Sequence, residues 1–275
     1  MSDAQKTVNA RTGEMPFLDH LEELRWRLVK SLVAIVVGVG VGYGVVTNYD
    51  VIAFLKRPIN PYLPPGQQLL FLSLLDPFVL QLKLAIAIGA VIALPVILYQ
   101  IWAFLQPALH QKEKRMVLPV LLAGLTLFVI GAGLGFFVVM PLSIPILLQF
   151  ATKSLTPMIT ASEYFSLTIA VVLCFGAVFE MPLIMFVLIW MRILTSAFLR
   201  RHHRTFIIIN AFASSILTPG DLVVMTLIVM VPIQLFYEMA ILMAIVLEKK
   251  RARANAAEAA EAAAAEPGTP AAGTA

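Results

Sequence analysis

Six long apolar runs constrain the fold of this chain more than any other feature of its sequence. An α-helix rises about 1.5 Å per residue, so about 20 apolar residues cross the roughly 30 Å hydrocarbon core of a bilayer. The runs predict six transmembrane helices, at about residues 28–46, 79–105, 117–140, 165–190, 206–217 and 222–247. Only 13% of the 275 residues are charged, about half the usual share of a soluble domain. We therefore predict an all-α polytopic membrane protein.

The apolar runs and the sequence around them divide the chain into three parts. Residues 1–14 are predicted to be a flexible N-terminus, residues 15–248 the six-helix membrane domain, and residues 249–275 a low-complexity tail. Just before the first run, hydrophobic residues recur at helical spacing and predict an amphipathic helix at the membrane surface. Its apolar face consists of Phe17, Leu21, Leu24 and Leu28.

The distribution of Lys and Arg predicts the orientation in the membrane, because basic connections stay on the cytoplasmic side. In the connections predicted to lie on the opposite side, the basic residues are only Lys56, Arg57 and Lys153. Both termini are therefore expected to be cytoplasmic. The net charge of +4 reflects this topology, and we predict no binding to nucleic acid.

Motifs of the common enzyme and metal-binding classes are missing from the sequence. Cys174 is the only cysteine, so an intrachain disulfide and a Cys-rich metal site are excluded. The histidines lack the i, i+4 spacing of a zinc-binding helix, and neither a phosphate-binding GxxxxGK loop nor a GxSxG nucleophile motif occurs. We predict no catalytic activity, no metal and no cofactor.

Three pairs of glycines repeat at four-residue spacing in the apolar runs, which is a signal of close helix packing. The pairs are Gly38 and Gly42, Gly40 and Gly44, and Gly131 and Gly135. Because the signal is common in membrane helices, we interpret it as packing within the fold and not as a dedicated dimer face.

Prolines and one short run predict irregular helices. The prolines inside predicted spans are Pro95, Pro182 and Pro232. Each removes a backbone hydrogen bond and is expected to bend its helix, which suggests a curved bundle. The fifth run, residues 206–217, extends only roughly 18 Å as a helix and forms a short hairpin with the sixth. In the turn between them, Pro219 is followed by Asp221, which is well placed to cap the sixth helix.

Glu180 lies near the middle of the fourth run, where a charged side chain costs roughly 2.5 to 3.5 kcal/mol to insert. One helical turn earlier, Gly176 and Ala177 are expected to leave room for another helix or water to approach. We hypothesise that Glu180, as the neutral acid, hydrogen-bonds a polar side chain of a partner helix. The alternative is that polar groups of the chain itself satisfy it. Two other functions stay open on the residues alone: a proton-coupled secondary transporter that uses Glu180, and a structural scaffold.

Five motifs follow one another along the chain: HLEELR at residues 20–25, LPVILYQIWAFLQPAL at 94–109, EKR at 113–115, FEMP at 179–182 and LTPGD at 217–221. Together they resemble the TatC family, the multispanning subunit of the twin-arginine protein translocase. The resemblance implies a glove-like six-helix bundle in the bacterial cytoplasmic membrane, powered by the proton-motive force. It further implies a receptor for folded proteins whose signal peptides carry consecutive arginines. The implied partners are small single-span subunits of the TatA/TatB type, membrane lipid and further copies of the chain.

The resemblance also assigns residues to these roles. The implied signal-peptide site consists of Glu23, Arg25, Phe104, Leu109 and Glu113, and Glu180 is the polar residue that faces partner helices. Carboxylates suit this role because an arginine guanidinium is planar, always charged and forked. Without the resemblance, Glu23 would be interpreted as half of an i, i+4 ion pair with Arg27, and Glu113 as a solvated charge.

Overall fold

The structure is a computed structural model and describes residues 17–63, 66, 68–105, 117–149, 159–217 and 223–265. The chain divides into two compact units, Met1–Glu180 and Met181–Ala275. Regular secondary structure in the described residues is helical, apart from one isolated β-bridge between Leu70 and Thr160. This composition confirms the predicted all-α class.

The first unit is built from long helices with short helical segments between them. They are α1 (Phe17–Asn48), α2 (Val51–Leu55), a 3-10 turn (Asn60–Tyr62), α3 (Asp76–Leu105), α4 (Val117–Leu134), a π-helical segment (Gly135–Val139), α5 (Met140–Leu148) and α6 (Ala161–Phe179). Capping side chains fix where two of them begin. The Asp50 carboxylate accepts a hydrogen bond from the Ala53 N–H at 2.9 Å, and the Thr160 hydroxyl accepts one from the Glu163 N–H at 3.3 Å.

The predicted surface helix and the first span form one continuous helix, α1. The sequence predicts an amphipathic helix along the membrane surface before a span that begins near residue 28, but α1 runs from Phe17 to Asn48 without a break. The segment before Gly38 contains no glycine or proline that would interrupt the helical hydrogen bonds. The HLEELR segment is therefore the first part of the same helix whose later, apolar part enters the membrane.

In α1 and α3 the two backbones approach closely, and glycines permit this. A Cβ atom on Gly38 would lie 2.4 Å from the carbonyl oxygen of Gly89, and one on Gly42 would lie 2.4 Å from the carbonyl oxygen of Ala85. Real Cβ atoms do not approach backbone this closely, so these positions require glycine. Packing within the fold is thereby confirmed for Gly38 and Gly42. Gly40, in contrast, has no described atom within 4 Å of a Cβ position.

A second glycine-mediated contact joins α4 and the π-helical segment to α6. A Cβ atom on Gly131 would lie 2.5 Å from the carbonyl oxygen of Phe175, and one on Gly135 would lie 3.1 Å from the Phe175 side chain. From the other side, Gly176 of α6 packs against the ring of Phe128. These contacts confirm that Gly131 and Gly135 also pack within the fold.

The connection between α1 and α3 is tied to the beginning of α6. The Tyr164 hydroxyl donates a hydrogen bond to the Leu55 carbonyl oxygen at 2.7 Å. The Ala161 N–H donates to the Leu70 carbonyl oxygen at 2.8 Å. An apolar cluster that includes Ile59, Leu80, Met140 and Phe165 lies beneath these hydrogen bonds. The end of the first unit opposite to Glu23 is thus closed by both polar and apolar contacts.

In the second unit, the described helices are α7 (Met181–Trp190), α8 (Ser196–Leu217) and α9 (Val223–Ala265). Their buried core consists of Ile189, Leu199, Tyr237, Ala240, Ile241 and Ala244. The Tyr237 hydroxyl donates to the Leu199 carbonyl oxygen at 2.7 Å, and its ring stacks on Phe206 with the centroids 3.8 Å apart. Tyr237 therefore links α9 to α8 through both its polar and its apolar part.

Five helical stretches in the described residues are long and apolar enough to cross a membrane. They are Leu21–Asn48, Asp76–Phe104, Leu118–Leu148, Ala161–Trp190 and Thr226–Ala260. They correspond to five of the six predicted spans and confirm the polytopic membrane class. The other predicted span, residues 206–217, forms the second half of α8. That helix begins at Ser196 and is 22 residues long, because Ala197, Leu199 and the three arginines before the apolar run favour a helix.

The three predicted bend positions lie in different settings. Pro95 and Pro232 lie inside α3 and α9, which continue through them. Pro182 is the second residue of α7 and follows a one-residue interruption at Glu180. The Glu180 N–H bonds the Ala177 carbonyl oxygen at 3.1 Å, a tightened contact typical of a helix end. The bends at Pro95 and Pro232 stay predictions.

Candidate functional site

The carboxylate of Glu23 holds the guanidinium group of Arg27 one turn further along α1. Arg27 donates from Nε at 3.2 Å and from a terminal nitrogen to the same oxygen, Oε1. The side chains of Arg27 and Glu23 are 19% and 22% exposed, so solvent still reaches the pair. This is the i, i+4 pair that the sequence allows, and it places the carboxylate where it accepts a forked cation.

Phe104 lies at the same level of the bundle as Glu23. Gly38 of α1 faces Gly89 of α3. Gly42, four residues later on α1, faces Ala85, which is four residues earlier on α3. The two helices are therefore antiparallel and advance in step, each by about 1.5 Å per residue. Glu23 is fifteen residues before Gly38, and Phe104 is fifteen residues after Gly89, so the two have the same height.

Other predicted site residues are only partly within the described chain. Arg25 is exposed on α1, two residues from Glu23 and outside the contact with Arg27. Phe104 is half-buried near the end of α3. The predicted recognition residues Leu109 and Glu113 lie outside the described residues, as do the hairpin residues Pro219 and Asp221.

Glu180, directly after the last residue of α6, is buried and 7% exposed. Both of its carboxyl oxygens are shielded from solvent, and neither has a hydrogen-bond partner among the described residues. A carboxyl group in this state has lost its hydration without replacement, which is energetically costly. The described part of the chain therefore does not supply the hydrogen bond that Glu180 needs.

The surroundings of Glu180 differ from the expectation on one side of α6. The sequence predicts that Gly176 and Ala177 leave room for another helix. At Gly176 the helix that approaches is α4 of the chain itself, because the ring of Phe128 fills the space and would lie 2.6 Å from an added Cβ atom, which leaves no room for a partner helix there. Ala177 is exposed. A second helix therefore has access to this part of α6 on the Ala177 side.

A polar cluster between α8 and α9 was not predicted from the sequence. His203 Nε2 lies 2.5 Å from Glu238 Oε1, and Gln234 donates from Nε2 to the same oxygen at 3.0 Å. The side chains of His203 and Glu238 are 35% and 46% exposed. The available signal was the i, i+4 spacing of Gln234 and Glu238 opposite a histidine in a predicted hairpin.

A second polar contact of the hairpin is fully buried. Asn210 is 2% exposed and donates from Nδ2 to the Met230 carbonyl oxygen at 3.1 Å. The Ser214 hydroxyl, also buried, donates to Asn210 Oδ1 at 3.2 Å. The Asn210 amide nitrogen thus connects α8 with the backbone of α9, while its amide oxygen accepts a hydrogen bond from within α8.

The chain matches known proteins over most of its length. A family model described as Sec-independent protein translocase protein (TatC) matches residues 19–232. The Sec-independent protein translocase protein TatC of Aquifex aeolicus is 36% identical over 241 residues, which are 86% of this chain and 98% of the relative. The proteins of the same name from Desulforapulum autotrophicum and Escherichia coli are 34% and 32% identical over 86% and 82% of this chain, and over 86% of each relative.

Solved structures share the fold as well as the sequence. A crystal structure of the twin arginine translocase receptor TatC is 34% identical and superposes with a TM-score of 0.73, covering 82% of this chain and 98% of the solved chain. A second crystal structure, of the same receptor in DDM, is 35% identical with the same TM-score. The residues matched by the family model include Glu23, Glu113 and Glu180. The chain therefore belongs to the TatC family, the Sec-independent protein translocase proteins of the bacterial inner membrane.

Proposed function

We propose that this protein is the signal-peptide receptor of a twin-arginine translocase. As a TatC protein it is a membrane component of a protein translocase and not an enzyme. In the proposed mechanism, a folded precursor arrives with a signal peptide whose consecutive arginines bind where α1 begins and α3 ends. The observation that carries this proposal is the Glu23 carboxylate, which already holds the guanidinium group of Arg27.

Binding of the signal peptide is then an exchange of one guanidinium group for another. When a signal arginine replaces Arg27 at Glu23, the carboxylate keeps a cationic partner throughout. The competing i, i+4 pair contributes only about 0.3 to 0.5 kcal/mol, so its loss is a small cost. A signal lysine is a poorer replacement, because its ammonium group is a point charge without the fork.

The neighbouring residues complete the proposed binding surface. Phe104, level with Glu23, and Leu109 supply apolar contacts for the hydrophobic part of the signal peptide. Glu113 binds the second arginine, and the exposed guanidinium group of Arg25 is available to carbonyl oxygens of the peptide backbone. Two separate carboxylates thus read two arginines, which a single acidic residue does not achieve.

The proposed orientation places both termini in the cytoplasm. Arg25 and Arg27 precede the apolar part of α1, and Lys249 and Lys250 follow the apolar part of α9. Basic residues flanking membrane helices stay on the cytoplasmic side. Labelling of a cysteine introduced at Arg253 from inside the cell, and not from outside, is the expected result, and the reverse pattern contradicts the orientation.

Assembly with single-span subunits of the TatA/TatB type is the second part of the proposal. Support comes from Glu180, whose two carboxyl oxygens have no hydrogen-bond partner among the described residues. Ala177 lies on a neighbouring position of the helix surface and is exposed. A rotamer change of Glu180 toward that side brings its carboxyl group to a polar side chain of a docked helix.

Site-specific crosslinking tests the recognition site. A photoreactive residue in place of Phe104, which leaves both Glu23 and Glu113 intact, should label a precursor with paired arginines much more strongly than one with paired lysines. Position 22 is the control, because Glu22 is exposed on α1 and has no proposed role. Equal labelling of the two precursors at position 104 would rule out the proposed site.

A pair of substitutions tests the assembly role. Glu180→Ala should impair co-purification of the single-span subunits and leave binding of the signal peptide unchanged. Glu180→Gln retains a neutral hydrogen-bonding group of the same size and should retain most of the association. If Glu180→Ala associates as well as the unmodified protein, Glu180 does not contact the partner helix.

A further inference from the structure

The end of the second unit where α7 leads into α8 is strongly basic. Six exposed cations, which we name the basic collar, are Arg200, Arg201 and Arg204 on α8 and Lys249, Lys250 and Arg253 on α9. α8 contains no acidic residue, and the acidic residue of α9 nearest to the collar is Glu248. The collar therefore carries a large excess of positive charge.

Glu248 clamps the beginning of α8 against α9. Its carboxylate accepts one hydrogen bond from the Ser196 N–H at 2.8 Å and another from the Ser196 hydroxyl at 2.5 Å. Ser196 is the first residue of α8, where backbone N–H groups lack partners within the helix and the helix dipole favours an anion. Glu248 thus caps a helix from 52 residues away in sequence.

A second contact of opposite sign completes the clamp. Arg251 donates from a terminal nitrogen to the Trp190 carbonyl oxygen at 2.7 Å, at the last residue of α7. A cation is favoured at this end of a helix, because the last carbonyl groups lack partners. One turn of α9 therefore places an anion at the start of α8 and a cation at the end of α7. The α8 and α9 parts of the collar are held in a fixed arrangement.

Exposed apolar side chains lie among the cations. Ile193 and Phe198 are 58% and 48% exposed, at the corner between α7 and α8 and in the first turn of α8. Nucleic acids and acidic peptides offer little to such side chains, whereas the boundary between headgroups and acyl chains accepts them. Clusters of basic residues directly beside a membrane helix attract anionic lipids. Charge and apolar exposure together favour a lipid surface.

We propose that the basic collar binds the headgroups of acidic phospholipids, such as phosphatidylglycerol, and that the Glu248 clamp holds its two parts in place for this. The inference rests on the proposed orientation, which puts the collar at the inner leaflet. It does not involve the signal-peptide site, since none of the collar residues belongs to that site.

Binding of phosphatidylglycerol to the detergent-purified full chain, measured by native mass spectrometry against phosphatidylcholine, tests the collar. Each Lys or Arg beside an anionic surface contributes roughly fivefold to binding. K249Q/K250Q should therefore lower the affinity for phosphatidylglycerol about 25-fold. The matched control is K56Q/R57Q, which removes two exposed or half-exposed cations of the first unit and should leave the affinity unchanged. Equal effects of the two double substitutions, or no effect of either, would overturn the proposal.

The clamp has its own test, in which charge and geometry predict opposite results. E248A and E258A each remove one negative charge from α9, but only Glu248 contacts α8 in the described structure. Charge alone predicts that both variants bind phosphatidylglycerol slightly more tightly than the unmodified chain, whereas loss of the clamp makes E248A bind more weakly. Binding by E248A as tight as by E258A overturns the role of the clamp.

A substitution of Ser196 and a competition with nucleic acid complete the test. S196A removes one clamp hydrogen bond without changing the charge, and should weaken lipid binding less than E248A does. This variant carries the clamp test if E248A fails to fold. Displacement of bound phosphatidylglycerol by a short single-stranded oligonucleotide would overturn the lipid assignment. All collar variants should bind a paired-arginine peptide normally. A negative result for lipid binding would therefore leave the receptor proposal standing.

Discussion

The α1–α3 contact and the α8–α9 hairpin hold two helices together by opposite means. In the first, Gly38 and Gly42 bring backbone against backbone, with no side chain between them. In the second, polar side chains bridge the helices, as Asn210 does to the Met230 carbonyl oxygen and His203 does to Glu238. One contact depends on the absence of side chains and the other on their chemistry.

The two kinds of contact differ in whether one partner can be replaced by another. A backbone contact through glycine has one geometry and no substitute, because any Cβ atom collides with the facing helix. A polar group accepts whichever partner offers the better hydrogen bond. Glu23 belongs to the second kind, since Arg27 occupies the position that a signal arginine is proposed to take. In the proposed mechanism the signal arginine therefore replaces Arg27 at Glu23, while the glycine contacts keep α1 and α3 in place.

The largest expected loss of stability comes from disturbing the backbone contact between α1 and α3. Gly89→Ala places a Cβ atom 2.5 Å from the Val39 backbone nitrogen and should destabilise the protein by about 3 kcal/mol, as an overpacked core does. Unfolding by denaturant in detergent micelles measures this. The matched control is Gly40→Ala, where the space is open and the better helix former should slightly stabilise. Similar stability of the two variants would show that the helices separate readily.

The buried polar contact should be worth less. Asn210→Leu removes the hydrogen bonds to Met230 and Ser214 and should lower the free energy of unfolding by about 1 kcal/mol. The same unfolding experiment applies. Ser215→Ala serves as the control, because this exposed hydroxyl bonds a carbonyl oxygen of its own helix. A loss of about 3 kcal/mol or more for Asn210→Leu would remove the distinction drawn between the two regions.

The partly exposed pair should be weaker still. A double-mutant cycle of His203→Ala and Glu238→Ala should give a coupling energy of about 0.6 kcal/mol, the average for polar pairs in membrane helices. The cycle of His202→Ala with Glu238→Ala is the control, since His202 bonds Phe198 of its own helix. Equal coupling in the two cycles contradicts the contact between His203 and Glu238.

The smallest expected effect concerns the replacement of Arg27 by a signal arginine at Glu23. Arg27→Gln removes the competitor of the signal arginine and should raise the affinity for a paired-arginine peptide about twofold, which corresponds to an i, i+4 ion pair. Lys30→Gln removes an exposed cation one turn further along α1 and controls for the change in charge. Weaker binding by Arg27→Gln than by Lys30→Gln would mean that Arg27 contributes to the site instead of competing for it.

Hydropathy predicted the spans because each apolar run is a local property of the sequence. The glycine spacing was less informative, since Gly38 and Gly42 share their pattern with Gly40 and Gly44. Only the position of Gly89 on α3 distinguishes the face that packs from the face that does not. A spacing rule identifies a helix that can approach another one closely, but the partner decides on which side.

Contacts between residues far apart in the chain could not be predicted from the sequence, because they also depend on which helices become neighbours. The Glu23–Arg27 pair follows from local spacing, whereas the hydrogen bond from Tyr164 to Leu55 joins residues 109 apart. The expected space beside Gly176 is filled because Phe128 comes from another helix. For the candidate site, the motifs identified Glu23 and Phe104, and the glycine register of α1 against α3 explains why both lie at one level.

The most direct test of the central claim is the ratio of two dissociation constants, for signal peptides with paired arginines and with paired lysines, on the purified protein. The unmodified chain and Glu22→Gln should prefer the paired-arginine peptide, by about tenfold or more, since a hydrogen bond to a charged group contributes about 1.5 to 3 kcal/mol. Glu23→Gln should lose most of this preference. A Glu23→Gln protein that discriminates arginine from lysine as well as the unmodified chain would show that Glu23 does not read the signal.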